Sequence, residues 1–224
     1  MSEPKYIIGI DLGTTNSVVA YAEAGIEEDK EPAIRIFEIP QLVDSGSVGN
    51  REILPSSVLL PGPHDVPEGG LVVPWTADQS RAVGVFARNR GAELPHRLIS
   101  SSKSWLCHTG VDRNKPILPW EGEDDQPRLS PVEASAVILR HIKETWNHTM
   151  ARENDALRLE NQEIILTVPA SFDVVARNLT VKAAEMAGIN DVILLEEPQA
   201  AFYAWIDDAK GTWRDRITVG DVIL

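Results

Sequence analysis

Asp11, Gly13, Thr14, Thr15 and Asn16 stand together in a short polar stretch between two β-branched runs, Ile7-Ile8-Gly9-Ile10 and Val18-Val19. Glycine at position 13 permits backbone angles closed to other residues, so the amides of Thr14, Thr15 and Asn16 can converge into a concave nest suited to phosphate oxygens. A carboxylate beside an anion site repels it unless a divalent cation lies between them. The grouping therefore predicts magnesium held by Asp11, through water. The flanking runs predict two buried strands, and with the turn they make a hairpin with chemistry at its tip. The G-x-x-x-x-G-K-[ST] phosphate loop occurs nowhere in the chain. Spacing alone leaves open a plain hairpin whose Asp-Leu-Gly-Thr merely forms its turn.

The elements that must hold this hairpin follow in order. Residues 22–33 are acidic and turn-like, and 33–39 alternate as a third strand with one apolar face. From Pro40 to Pro74 the chain is rich in Gly, Pro and Ser, with short apolar runs only at Ile53-Leu54 and Ser57–Leu60, which predicts a smaller, irregular subdomain. Ala82 to Gly91 reads as a short helix ending at the glycine. Lys103 lies in the following segment, where Ser100-x-x-Lys103 formally matches the S-x-x-K of penicillin-recognising enzymes. No S-D-N or K-T-G follows, so an acylating serine is discounted.

Ser130-Pro131-Val132-Glu133 predicts a helix start, and the stripe Val132, Ala136, Leu139, Ile142, Trp146 continues it. His141 and His148 lie on that helix seven apart, too far for one metal ion, and read as solvated surface histidines. Glu163–Ala170 is a buried strand ended by Pro169. Asp173 caps a helix that stops at Gly188, Asp191–Leu195 is another strand, and Glu197 opens the next helix. Strand, helix, strand, helix is a βαβ unit, hence a parallel portion of sheet joined to an antiparallel opening; the fold class is mixed α/β.

In 224 residues, 21 basic side chains face 34 acidic ones, a net charge of −13, which argues against a nucleic-acid partner and an anionic membrane surface. Cys107 is the only cysteine, so no intrachain disulfide can form and a reducing compartment fits. No stretch resembles a signal peptide or approaches the roughly 20 apolar residues of a membrane-spanning helix. The expected localisation is cytoplasmic.

Ile8-Gly9-Ile10-Asp11-Leu12-Gly13-Thr14-Thr15-Asn16-Ser17 resembles the first phosphate-binding hairpin of the seventy-kilodalton heat-shock chaperones, the DnaK-type members of the actin-like ATPase superfamily. Leu166-Thr167-Val168-Pro169-Ala170-Ser171-Phe172, with Arg177, resembles their V-T-V-P-A-x-F segment and its arginine. Ala187-Gly188-Ile189 with Leu195-Glu196-Glu197-Pro198-Gln199-Ala200-Ala201 is similar to their A-G-L and N-E-P-T-A-A motifs. Lys103-Ser104-Trp105-Leu106 is similar in order and spacing to their lysine-bearing segment. Sugar kinases of the superfamily share the opening hairpin but do not pair these later motifs at this spacing. Glu196 stands where the family usually has Asn and Gln199 where it has Thr, and residues 40–129 match weakly, as in a divergent member.

The resemblance implies a core subdomain over about 1–39 and 116–224, a smaller inserted one over about 40–115, and ATP or ADP with magnesium as ligands. Asp11 would organise the metal, and Thr14 and Thr15 would hold phosphate. Lys103 would stabilise charge on the transferring phosphoryl group, Glu197 would place the metal shell and attacking water, and Pro169 and Arg177 would relay nucleotide state to a partner domain. Implied partners are a second lobe and a peptide-binding domain of the same protein, co-chaperones and client peptides. The family's second phosphate motif, D-[LIV]-G-G-G-T, is absent, and Val222-Ile223-Leu224 is expected to open a further strand, as in the first lobe of a longer protein. A metabolite kinase and a nucleotide-binding filament or scaffold protein are the alternatives; the kinase needs a dedicated general-base carboxylate beside a substrate hydroxyl, and no candidate stands out.

Overall fold

β-Branched residues at the amino end form the centre of the sheet. In the computed structural model, which describes residues 3–25, 33–122, 126–218 and 220–221, strands β1 (Tyr6–Leu12) and β2 (Asn16–Glu23) pair antiparallel from Tyr6↔Glu23 to Leu12↔Ser17. The predicted third strand is split into β3 (Arg35–Ile36), which pairs antiparallel with β2, and β4 (Ile39–Asp44). Its apolar face is not the one that Ile34 and Ile36 mark. Both are exposed, at 59% and 46%, whereas Phe37 and Ile39 are buried. Side chains alternate along a strand, so Phe37 and Ile39 share one face, and Phe37 packs against Trp146 with ring centroids 5.1 Å apart.

The stretch expected to be irregular holds regular structure. Strand β4 forms a hairpin with β5 (Ser47–Arg51), with a register shift between Leu42 and Asp44 next to the turn at Gly46, whose φ is 66°. After β6 (Leu54–Pro55), which extends the main sheet along β2, strand β7 (Ser57–Leu59) lies between β8 (Ala82–Val83) and a later strand, β9 (Leu98–Ser100), in a second antiparallel sheet. Helix α1 spans Val85–Glu93, so it starts after the predicted position and runs through Gly91 instead of ending there. Gly91 is required by close packing: a Cβ would fall 2.6 Å from Leu98 Cδ1. Helix α2 (Ser102–Trp105) follows β9 directly.

Helix α3 (Pro131–Met150) begins as its sequence dictates. Ser130 Oγ accepts from the Glu133 amide, the Glu133 carboxylate accepts from the Ser130 amide, and Pro131 occupies the first turn. Its stripe, with Trp146 fully buried and its indole N–H donating to the Leu157 carbonyl at 2.9 Å, packs on the face of the sheet formed by Ile8, Ile10, Ile164 and Leu166.

Strand β10 (Glu163–Val168) runs parallel to β1. Its alternate residues Ile165 and Thr167 are only half-buried, so one face of this strand is covered and the other partly open. Helix α4 (Val174–Met186) is capped by Asp173, whose carboxylate accepts from the Ala176 amide at 2.7 Å, and ends at Gly188 with φ 79°. Strand β11 (Ile193–Glu196) adds to β10 in parallel and leads straight into α5 (Glu197–Asp208), giving the order β11-β10-β1-β2-β3.

His141 is not the solvated histidine its spacing suggested. It is 9% exposed, its ring meets Trp75 edge-on, and burial holds its pKa down to about 4. The cause is the 71–83 segment, which covers a second face of α3 that the helix's own periodicity does not reveal. His148, one helical repeat further on, is half-buried. A second, smaller apolar cluster of Leu42, Leu59, Leu71, Ala82, Phe86 and Ala87 lies under α1. Among the described residues, no helix is long and apolar enough to cross a membrane. The run at 222–224 and residues 26–32 of the acidic turn lie outside the described residues.

Candidate functional site

Parallel pairing of β1 with β10 brings distant residues to one end of the sheet. The register Ile10↔Leu166 sets Asp11 beside Thr167, and the Thr167 hydroxyl donates to Asp11 Oδ1 at 2.7 Å. One strand over, Thr167 pairs with Leu195 and Val168 with Glu196, so Glu197 opens α5 at the same end. Lys103 reaches this end from α2. Its side chain is 5% exposed, and its ammonium forms an ion pair with the Glu197 carboxylate across 94 residues of sequence. A buried ammonium requires such a partner, because losing its water is costly.

The backbone before Lys103 is strained. Ser101 sits in the left-handed region, φ 56° and ψ 32°, which a residue with a Cβ adopts at a cost of about 1 kcal/mol or more. Directly after it, Ser102 accepts a hydrogen bond from the buried Ser135 hydroxyl of α3 at 3.4 Å. The sharp entry to α2 and its anchorage on α3 together aim Lys103.

The hairpin turn is held by a residue that sequence reasoning did not single out. Ser56, 3% exposed, donates its hydroxyl to the Gly13 carbonyl at 2.7 Å and its amide to the Thr15 carbonyl at 2.8 Å, and its hydroxyl also lies 2.9 Å from Ser17 Oγ. With the carbonyls of 13 and 15 turned to Ser56, the amides of Thr14 and Thr15 donate to no described residue, and both residues are exposed, as is Asn16. Gly13 is needed here for a different reason from the one expected. It does not adopt a left-handed φ; a Cβ at this position would lie 2.1 Å from the Asn16 carbonyl oxygen.

Pro169 and Arg177 lie beside this end of the sheet, joined by short links. The Phe172 amide donates to the Pro169 carbonyl at 3.1 Å, Arg177 Nε donates to the Phe172 carbonyl at 3.2 Å, and Arg177 Nη2 pairs with the Glu196 carboxylate at 2.6 Å. Through the Glu196–Glu197 peptide this chain meets the Lys103 pair. Thr167 and Glu196 were also missed as site residues. Thr167 was findable from strand alternation beside Asp11, and Glu196 from its departure from the related motif.

The donor set has a definite character. Among the described residues, no three His, Cys, Asp or Glu side chains converge as a metal cage. One exposed carboxylate, Asp11, beside unbonded amides fits a hard cation that keeps most of its waters and shares phosphate oxygens, as magnesium does.

A mixed sheet with helices packed on it, and polar side chains gathered at the carboxyl ends of its parallel strands, is the lobe architecture of the actin-like ATPases. Comparison with known proteins narrows this class: the model described as "Hsp70 protein" matches residues 72–221. The chain is 31% identical over 213 residues to a chaperone protein HscA homolog of Tolumonas auensis, covering 91% of this chain and 28% of that protein. It is 32% identical to the HscA homolog of Laribacter hongkongensis, covering 92% and 29%, and 33% identical to that of Pseudomonas aeruginosa, covering 91% and 29%. The chain belongs to the Hsp70 family. It spans less than a third of the length of these curated relatives.

Proposed function

We propose that this chain is the first lobe of the ATP-binding and ATP-hydrolysing domain of a DnaK-like chaperone. The observation that carries the reading is the convergence of Asp11, Lys103 and Glu197 on the end of the sheet where the amides of Thr14 and Thr15 lie unbonded. We read residues 40–115 as an inserted subdomain and 1–39 with 116–224 as the core one. In this reading ATP or ADP is the nucleotide, and a second lobe, a peptide-binding domain, co-chaperones and client peptides complete the working protein. The single cysteine suits the cytoplasm.

Phosphoryl transfer needs positioning and electrostatic stabilisation more than covalent chemistry. The amides of Gly13, Thr14, Thr15 and Asn16 cradle phosphate oxygens. Asp11, oriented by Thr167, would hold a magnesium ion, which when bound would supply neutralisation of phosphate charge. Lys103 donates to the phosphoryl oxygens on which charge accumulates, and Glu197 accepts from the attacking water. Their mutual ion pair keeps both side chains at the site without a further counter-ion.

In the full-length protein, ATP turnover is expected without any added small-molecule acceptor. Lys103→Ala should lower single-turnover hydrolysis by at least about a hundredfold while nucleotide affinity changes only a few-fold, since the lost interaction is made in the transition state. Strict dependence on a sugar or other alcohol would overturn the reading.

A further inference from the structure

A cavity of about 200 Å³ separates α3 from the 71–83 segment, and none of its walls belongs to the nucleotide site. Leu71, Val73, Val83 and Val137 make one part apolar, and the Trp75 ring forms another wall. The rest is polar, and its charged groups are unequally satisfied. Asp78 accepts from the Ser80 amide and hydroxyl and pairs with Arg81 at 3.0 Å. Arg140 donates to the Met186 carbonyl at the end of α4.

Two acceptors remain. Glu144 is half-buried, and desolvation pushes its carboxyl above the usual range against the opposing pull of Arg140, Lys143 and the Thr76 hydroxyl; it forms no ion pair within 4 Å among the described residues. His141 lies 2.9 Å from the Pro40 carbonyl through Nε2. A carbonyl only accepts, so Nε2 carries the proton and Nδ1 is a bare acceptor, bonded to no described residue.

We propose that this cavity binds a small primary amine with an apolar or aromatic body. Its ammonium would donate to Glu144 and to His141 Nδ1, with the Trp75 ring as a neighbouring wall. Its body would fill the apolar part of a cavity whose whole volume, about 200 Å³, is in the range that takes a single substituted ring. A carboxylate ligand is disfavoured, because Arg81 is paired with Asp78, the charge of Arg140 is already shared between Asp78 and Glu144, and Glu144 would repel it.

Phenethylamine is the probe, and 3-phenylpropionate is its control of similar shape and opposite charge. Titration calorimetry on the full-length protein should give phenethylamine a Kd of about 1 mM or tighter, within the efficiency range of small ligands, and no measurable heat of binding for 3-phenylpropionate. Glu144→Gln should weaken phenethylamine at least tenfold. Val137→Phe, which fills the cavity from α3, should abolish binding while ATP turnover stays at the wild-type rate. Equal binding of amine and acid, wild-type affinity in either variant, or no amine binding up to 10 times that limit would each overturn the assignment.

Discussion

A methyl group at Gly13 would have backbone on the other side of the contact, 2.1 Å away at the Asn16 carbonyl. A flexible side chain could swing aside, but this carbonyl is backbone at the start of β2, where Asn16 pairs with Pro55 of β6 and Ser17 with Leu12 of β1, so the turn itself must open. Opening it disperses the Thr14 and Thr15 amides. Gly13→Ala in the full-length protein should therefore weaken MgATP binding at least tenfold by calorimetry and lower stability by about 1–3 kcal/mol. Gly9 provides the comparison, because a Cβ there would sit 3.9 Å from the Ala20 carbonyl, an ordinary contact. Gly9→Ala should bind nucleotide like wild type. Equal affinity in both variants would show that the shape of the turn does not govern binding.

At the level of elements, α3 carries a titration set by the segment packed over it. His141 is neutral in the fold, with its pKa held near 4 by burial against an unfolded value of 6.5. Between pH 6.5 and 4 the unfolded chain takes up a proton that the folded chain refuses. Stability is thus fully present above about pH 6.5 and falls as pH drops towards 4, by about 3 kcal/mol in all. Glu144, raised by desolvation, acts with the opposite sign, because its folded form holds a proton to higher pH than the unfolded chain does. The urea midpoint should drop between pH 7 and 5, and it should drop less in His141→Gln, whose amide can still donate to Pro40. Identical drops in the two proteins would assign the slope to other groups.

Across the whole molecule, the Arg177–Glu196 pair links the strand that ends at Pro169 to the carboxylate beside Lys103. Both side chains are about a third exposed, so the pair contributes at most about 1 kcal/mol to folding. Any larger effect of removing it must come through coupling. Arg177→Ala in the full-length protein should leave nucleotide affinity nearly unchanged and reduce the ratio of peptide affinities measured with and without ATP. An unaltered ratio rejects a relay through this arginine. In the proposed reading the chain by itself offers one wall of a cleft, formed by the peptide amides of 13–16, Asp11, Lys103 and Glu197. Residues 1–224 alone should fold, shown by a cooperative melt, yet bind MgATP far more weakly than the full-length protein. Micromolar binding to the isolated chain in calorimetry would contradict this.

Several local signals were legible, although the local hairpin of β4 and β5 was not. The hairpin of β1 and β2, the Ser130 capping box, the Asp173 cap and the Gly188 stop follow from residues within a few positions of one another, and each has the partner its residue types predict. The order of strand and helix after 163 likewise implied parallel pairing. What depended on distant segments was not legible. Ser56 became the clamp of the turn only because β6 lies along β2, and Arg177 met Glu196 because α4 returns beside β11. Ile34 and Ile36 lost the apolar face to Phe37 because Trp146, more than a hundred residues later, lies on that side. Periodicity records which face of an element is apolar, but burial of His141 was decided by a covering segment whose own sequence has no regular period, and only the tertiary structure brings the two together.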